Sequence, residues 1–325
     1  MKRVLYSIVV ILLFVSCKEV SEEDRGVQAE SSGNINNLSV VVERELWNGE
    51  VGDAIREHFA SPVHGLPQDE PIFSINQMPP ESFQGFVRRN RIFLYVEKGR
   101  PAAVNVADDP FARPQKGVFV YGETNEEIIS QLADKAPQIV EAFKETELQE
   151  RQRRIRSSLA DDTRLRESMG VALEFPSVYR YAKEEEDFFW IRRDLQSGSM
   201  EILVYEVPLH TFDKDTNVIA NIIRMRDSIG EAHIPGRLEG SYMITETAYA
   251  PYLFHSQIDG KFAYESRGMW EVNSDFMGGP FVNYAVRDEA NERYLILEGF
   301  MFRPSAAKRD YMFELEAILQ SAEIE

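Results

Sequence analysis

The sequence predicts an α+β protein: mostly antiparallel sheets with helices packed on one face, in two subdomains joined by a long helix. Three observations carry that expectation. Short β-branched and aromatic runs bounded by turn residues outnumber the helical stretches. A capping box opens one long helical pattern in the middle of the chain. Beyond it the texture changes, with strong hairpin signals and fifteen Phe, Tyr or Trp among the 72 positions from Tyr242 to Phe313.

The chain opens with Lys2 and Arg3, then an apolar run over residues 4–15. That run is short for a membrane span and suits the hydrophobic core of a secretory signal peptide. It ends at Phe14-Val15-Ser16-Cys17, and Cys17 is the only cysteine. This stretch resembles a bacterial lipobox, with Phe14 where Leu is more usual. The expectation is a signal peptide over 1–16 and a lipid on Cys17, which makes the membrane the first partner. The plainer reading is an ordinary signal peptide with an incidental cysteine. A lone cysteine placed where the apolar run stops favours the lipid. The mature chain would then hold no other thiol, hence no disulfide and no cysteine nucleophile. It would carry 34 basic and 54 acidic side chains, so acyl chains rather than charge must anchor it. Residues 17–36 lack apolar periodicity and are rich in Ser, Glu, Asn and Gly, which predicts a disordered tether.

Folded structure is expected over 37–160 and 161–325. In the first half 38–42, 72–75, 92–96, 102–106 and 118–121 read as strands. Residues 48–59 read as a helix through Val51, Ile55 and Phe59. Thr124-Asn125-Glu126-Glu127 is the capping box, and Ile128, Leu132, Ile139, Val140 and Phe143 follow at helical spacing. The pattern runs on to about Ser158, with a kink expected at Pro137. In the second half 187–194 and 200–207 read as paired strands, and 216–229 as a helix capped by Gly230. Asp259-Gly260 predicts a hairpin between 252–258 and 262–267. A turn at 288–291 joins strands 281–286 and 294–302, and a helix follows Ser305.

Length and composition limit the function classes. A chain of 325 residues with 43% hydrophobic and 28% charged residues and a mean hydropathy of −0.34 is neither low-complexity nor a multi-span membrane protein. A net charge of −18 repels phosphate backbones and argues against nucleic acid as a partner.

Several segments are familiar in combination. They are residues 46–56 (Leu-Trp-Asn-Gly-Glu-Val-Gly-Asp-Ala-Ile-Arg), 65–71 (Gly-Leu-Pro-Gln-Asp-Glu-Pro), 267–272 (Arg-Gly-Met-Trp-Glu-Val), 275–281 (Asp-Phe-Met-Gly-Gly-Pro-Phe) and 308–312 (Lys-Arg-Asp-Tyr-Met). From about Leu38 to Leu319 the chain resembles a family of exported lipoproteins of the Bacteroidota type, the domain-of-unknown-function family 4837. That family has no established activity, so the resemblance implies a lipid-anchored envelope protein and no catalytic residue. Lys18-Glu19 and Glu22-Glu23-Asp24 also resemble the acidic signal that sends such lipoproteins to the cell surface, with Val20 interrupting it.

No motif announces chemistry. Of the five histidines only His58 and His64 are close in sequence, and no spacing points to a metal or other cofactor. Met277-Gly278-Gly279-Pro280 lacks the lysine and hydroxyl of a phosphate loop. Trp270, Glu271 and Asp275 are the candidate ligand-binding residues, with Glu265 nearby; two such carboxylates in a cleft could act as acid and base on a glycan. The plainer reading puts the carboxylates on an outward strand face and Trp270 in the core. Arg151, Arg153, Arg154 and Arg156 read as a solvated helix face paired to Glu147 and Glu150. Two functions compete: a non-enzymatic outer-membrane component that binds an envelope protein or glycan, and an envelope glycan or peptide hydrolase. The first is preferred. A deep pocket holding a carboxyl with a raised pKa would favour the second.

Overall fold

A computed structural model describes residues 28–212 and 217–325. The expected signal peptide, Cys17 and residues 17–27 of the expected tether lie outside the described residues. In chain order the elements are β1 (Asn37–Val41), α1 (Arg44–Trp47), α2 (Glu50–Phe59), β2 (Ser74–Met78), β3 (Ile92–Lys98), β4 (Ala103–Asp108), β5 (Lys116–Gly122) and α3 (Asn125–Ile155). The second half adds α4 (Thr163–Met169), β6 (Val171–Ala172), β7 (Arg180–Glu184), β8 (Phe188–Leu195), β9 (Gly198–Pro208), α5 (Val218–His233) and β10 (Met243–Thr245). It closes with β11 (Tyr252–Ile258), β12 (Lys261–Val272), β13 (Asp275–Asp288), β14 (Arg293–Phe302), α6 (Arg309–Leu319) and β15 (Glu323–Ile324). The class is α+β with mostly antiparallel sheet, as expected.

The N-terminal sheet departs from the antiparallel majority. Its order is β2-β1-β3-β5-β4, and only β4 runs antiparallel to its neighbour. Parallel pairs need crossovers, and α1–α2 supply the one between β1 and β2. Ile55 and Phe59 of α2 and Leu132, Ile139 and Phe143 of α3 bury one face of this sheet. Phe83, Phe93 and Phe111 close the other.

The large sheet has the order β10-β12-β13-β14-β9-β8-β7, with β11 also paired to β12. Strand β14, and β13 over residues 279–286, are buried at consecutive positions rather than at alternate ones. Such strands need cover on both sides. Accordingly α6 packs on one face with Leu315, Ile318 and Leu319, and α5 packs on the other with Ile222 and Met225.

Local signals account for the hairpins and for α3. Thr124 Oγ1 accepts from the Glu127 N–H at 3.2 Å, while the Glu127 carboxylate reaches back to the Glu123 N–H at 2.8 Å. Helix α3 runs through Pro137 without a break. Pro137 and Ala133 lie on the exposed face, so the carbonyl that proline leaves without a partner faces solvent. Gly230 is not a cap. It sits inside α5 where a Cβ would come 2.0 Å from the Met243 carbonyl oxygen, so its role is to let α5 approach β10.

The tether expectation is corrected over residues 28–36, which are built into the body. Ser31 and Ser32 donate to the carbonyls of Arg113 and Arg89 at 3.1 and 2.8 Å. Asn36 is 2% exposed, and its N–H donates to Glu147 at 2.8 Å. The same Glu147 accepts two bonds from Arg91, at 2.9 and 3.1 Å, with both side chains out of solvent. Composition hid this, because the order comes from backbone bonds and one distant carboxylate rather than from apolar periodicity.

Removing one partner of a buried charge pair leaves the other unmatched. Glu147→Ala should therefore cost about 3–5 kcal/mol in urea unfolding, whereas Glu145→Ala, on the exposed face of the same helix, should stay within about 0.5 kcal/mol. A chain beginning at Asn37 should also unfold at lower urea than one beginning at Gln28. Equal midpoints would contradict the packing of residues 28–36.

Candidate functional site

A cleft of about 1010 Å³ lies between the two halves. One wall is α3, where Val140, Lys144, Leu148 and Gln152 recur every four residues and so share a face, joined by Glu141, Glu145 and Gln149. The loop Ser61–His64 forms a second wall. The third is the β11–β12 hairpin, with Phe254 to Gln257 and Phe262. Glu265, Arg267, Phe313, Glu316 and Gln320 make the floor.

Charge is closely matched at that floor. The Arg267 guanidinium donates to Glu265 and lies 2.7 Å from Glu316. Gln320 Nε2 donates to the Tyr284 hydroxyl at 3.0 Å and to Glu316 at 3.3 Å. Burial alone would push the Glu316 carboxyl up, but the Arg267 charge and hydrogen bond outweigh it and hold the group below the usual carboxylate range. Burial, reinforced by Glu316 and Glu265, raises the Tyr284 hydroxyl well above its ordinary value. Glu316 is thus an ionised acceptor and Tyr284 a neutral phenol.

Several of the sequence segments that carry the family resemblance meet beside this floor. Gly65 has φ +82°, and a Cβ there would lie 2.9 Å from Arg267 Cβ, so only glycine lets the loop rest on β12. Glu70 accepts from the N–H groups of Lys308 and Arg309 at 2.7 and 2.9 Å, capping α6 from across the interface. Arg309 returns a bond to the Pro71 carbonyl at 2.9 Å. Residues 46–56 and 275–281 serve packing elsewhere. Gly52 abuts the Trp47 carbonyl, Arg56 lies 4.5 Å over the Trp47 ring, and Gly279 abuts the Met301 carbonyl.

Of the residues singled out from sequence, Glu265 lies on the cleft floor, whereas Trp270, Glu271 and Asp275 fall outside the cleft. Trp270 is 3% exposed, donates from Nε1 to the Met301 carbonyl at 3.2 Å, and meets Phe300 edge-on at 5.3 Å. Glu271 points to the opposite face. Asp275 is held by both arms of Arg237 at 2.9 and 3.0 Å. Arg153, Arg154 and Arg156 form the expected solvated, salt-bridged face, and Arg151 departs from it. Glu150–Arg154 forms at 2.7 Å, but Glu147 takes Arg91 and Arg151 takes Glu314 of α6. His64 stacks against Tyr252 and Phe254 with centroids 4.6 and 5.9 Å apart. No group of metal-ligating side chains occurs among the described residues.

Sequence reading missed His64, Lys144, Phe254, Phe262, Arg267 and Glu316 as a set, because they come from separate segments. Arg267 stood in one of the resembling segments, and Phe254 and Phe262 stood in the aromatic-rich stretch. One carboxyl does carry a strongly raised pKa: Glu201, pushed up to about 7 chiefly by burial, with Ser199, Arg192 and Trp190 opposing. It lies on β9 outside the cleft and accepts from Trp190 Nε1 at 2.7 Å.

These features define a two-part α+β protein with an interdomain cleft. The chain belongs to the family described as domain of unknown function (DUF4837), whose model matches residues 158–321. Residues 31–156 match a second model, domain of unknown function (DUF8532). The likeness seen from Leu38 to Leu319 thus divides between two families, and the division falls at the end of α3. No curated protein matches the chain.

Trp270→Phe removes the bond to Met301 and part of a filled core, and should cost about 1–3 kcal/mol in a denaturation curve. Unchanged stability would contradict its place in the core. Glu201 sets a pH dependence. Its folded pKa of about 7 exceeds the ordinary 4.5, so the folded state holds the proton more tightly. The stability this adds is complete below pH 4.5 and is lost as pH rises to about 7. Glu201→Gln should flatten that decline in urea midpoints measured across the same range, and an unchanged slope would contradict it.

Proposed function

We propose that this chain is a lipid-anchored cell-envelope protein that binds a partner in the cleft between its halves and does no chemistry there. The anchor reading rests on the basic start, the apolar run and the lone Cys17 at its end. It puts the protein at the outer membrane, on the periplasmic or the cell-surface face, held by acyl chains on Cys17. The binding reading rests on one observation above all: both carboxylates on the cleft floor, Glu265 and Glu316, are paired with Arg267, and Glu316 is held ionised. A glycan hydrolase needs a protonated carboxyl poised to donate. The carboxyls that burial pushes up, Glu201 and Glu147, are both outside the cleft.

Both parts are testable in cells of the source organism. Cys17→Ser should move the protein out of the membrane fraction or leave it unprocessed; normal processing with unchanged fractionation would refute the anchor. A photo-crosslinking amino acid at Gln149, inside the cleft, should give a discrete adduct, while the same group at exposed Val178 should not. Equal yields at the two positions, or none at Gln149, would refute the cleft as the binding site.

A further inference from the structure

Strand β11 pairs with β12 from Tyr252↔Arg267 to Ile258↔Lys261. Among the described residues, none hydrogen-bonds to the backbone on its other edge. The turn determines which groups lie there. Asp259 and Gly260 have φ of 49° and 70°, the two-residue turn whose flanking residues form a hydrogen-bonded pair. Ile258 and Lys261 are that pair. Hydrogen-bonded and non-hydrogen-bonded pairs alternate along an antiparallel ladder. Leu253, His255 and Gln257 therefore turn their N–H and C=O groups away from β12.

The cleft opens on that edge. Phe254, His255, Ser256 and Gln257 are consecutive, and all four line it. Successive side chains of a strand point to opposite faces, so consecutive lining means that β11 offers its edge rather than one face. Exposed edges are usually guarded by lysine, proline or a bulge. Residues 252–258 contain no Lys, Arg, Asp, Glu or Pro in a chain that is 28% charged, and their register with β12 is unbroken. Tyr252 and Phe254 are 50% and 36% exposed beside this unguarded edge.

We propose that an extended segment of a partner protein adds to β11 as a further strand, a mode in which main-chain bonds give affinity and alternate side chains give selectivity. This rests on the cleft reading above and names the class of ligand. Charge narrows it further. Facing β11, α3 presents exposed Glu141 and Glu145 beside Lys144, while Glu265 and Glu316 on the floor share Arg267. The lining is net negative, so the segment carries a basic side chain toward α3 and no acidic one. Its other side chains meet Phe254 on one face and Phe262 on the other.

The probe is a displayed library of random heptapeptides selected against the intact chain. Enriched peptides should be basic and β-prone, and each should slow amide exchange at Leu253, His255 and Gln257 by at least about tenfold. Gln257→Pro removes only an outward N–H and should weaken them at least about tenfold at unchanged Tm. Glu141→Lys with Glu145→Lys should weaken them as well. Peptides that bind the cleft without protecting those amides would overturn strand addition and leave the cleft reading standing. Failure to enrich any peptide would overturn the proposal, as would a dimer of this chain paired through β11. Enrichment failure beside a Gln149 adduct in cells would separate the two readings.

Discussion

Two carboxylates within one turn of α3, Glu147 and Glu150, are almost fully buried, and Arg151 beside them is mostly so. A charge without water must be matched by another or it destabilises the fold by several kcal/mol. The matches come from all over the molecule. Glu147 takes Arg91 at the head of β3 and the Asn36 N–H of the leading segment. Glu150 takes Arg153 and Arg154, and Arg91 again at 3.7 Å. Arg151 takes Glu314 of α6, which also accepts from Arg193 of β8 and the Tyr179 hydroxyl. One turn of helix thus ties the leading segment, both sheets and α6 together.

That joint shapes the cleft. Up to Phe143, α3 packs in the core of the N-terminal sheet; by Ile155 it has passed into the core of the large sheet. Between them its exposed flank faces β11 across open space, and the charged turn holds it at that distance. Glu70 at the α6 N-terminus and Gly65 on β12 fix the opposite side from the N-terminal half. The cleft is accordingly bounded by elements whose positions are set by interactions outside it. Its own floor carries Arg267 shared between Glu265 and Glu316.

The features legible in the sequence are local ones. Asp259-Gly260 specifies its hairpin because both residues tolerate positive φ, and Thr124–Glu127 marks the start of α3 because the cap lies within four residues. The apolar alternation around Trp270 places that ring in the core for the same reason. The parallel order of β1, β3 and β5 is hidden, because it depends on crossovers rather than turns. Arg91 and Glu147 are 56 residues apart, and nothing near either one announces the other. Gly230 reads as a cap by composition, and only the approach of β10 reveals why a side chain is excluded there. The cleft belongs to this second kind: its residues are ordinary in their own segments and acquire meaning only when α3, the Ser61–His64 loop and β11 converge.

If buried charges at the α3 turn make the two halves one cooperative unit, residue-resolved native-state hydrogen exchange in low denaturant tests it directly. The most protected amides of β1 and β3 should open with the same free energy and the same denaturant slope as those of β13 and β14. A separate, lower-energy opening of the N-terminal sheet, with β13 and β14 still protected, would show two independently stable domains and contradict the account.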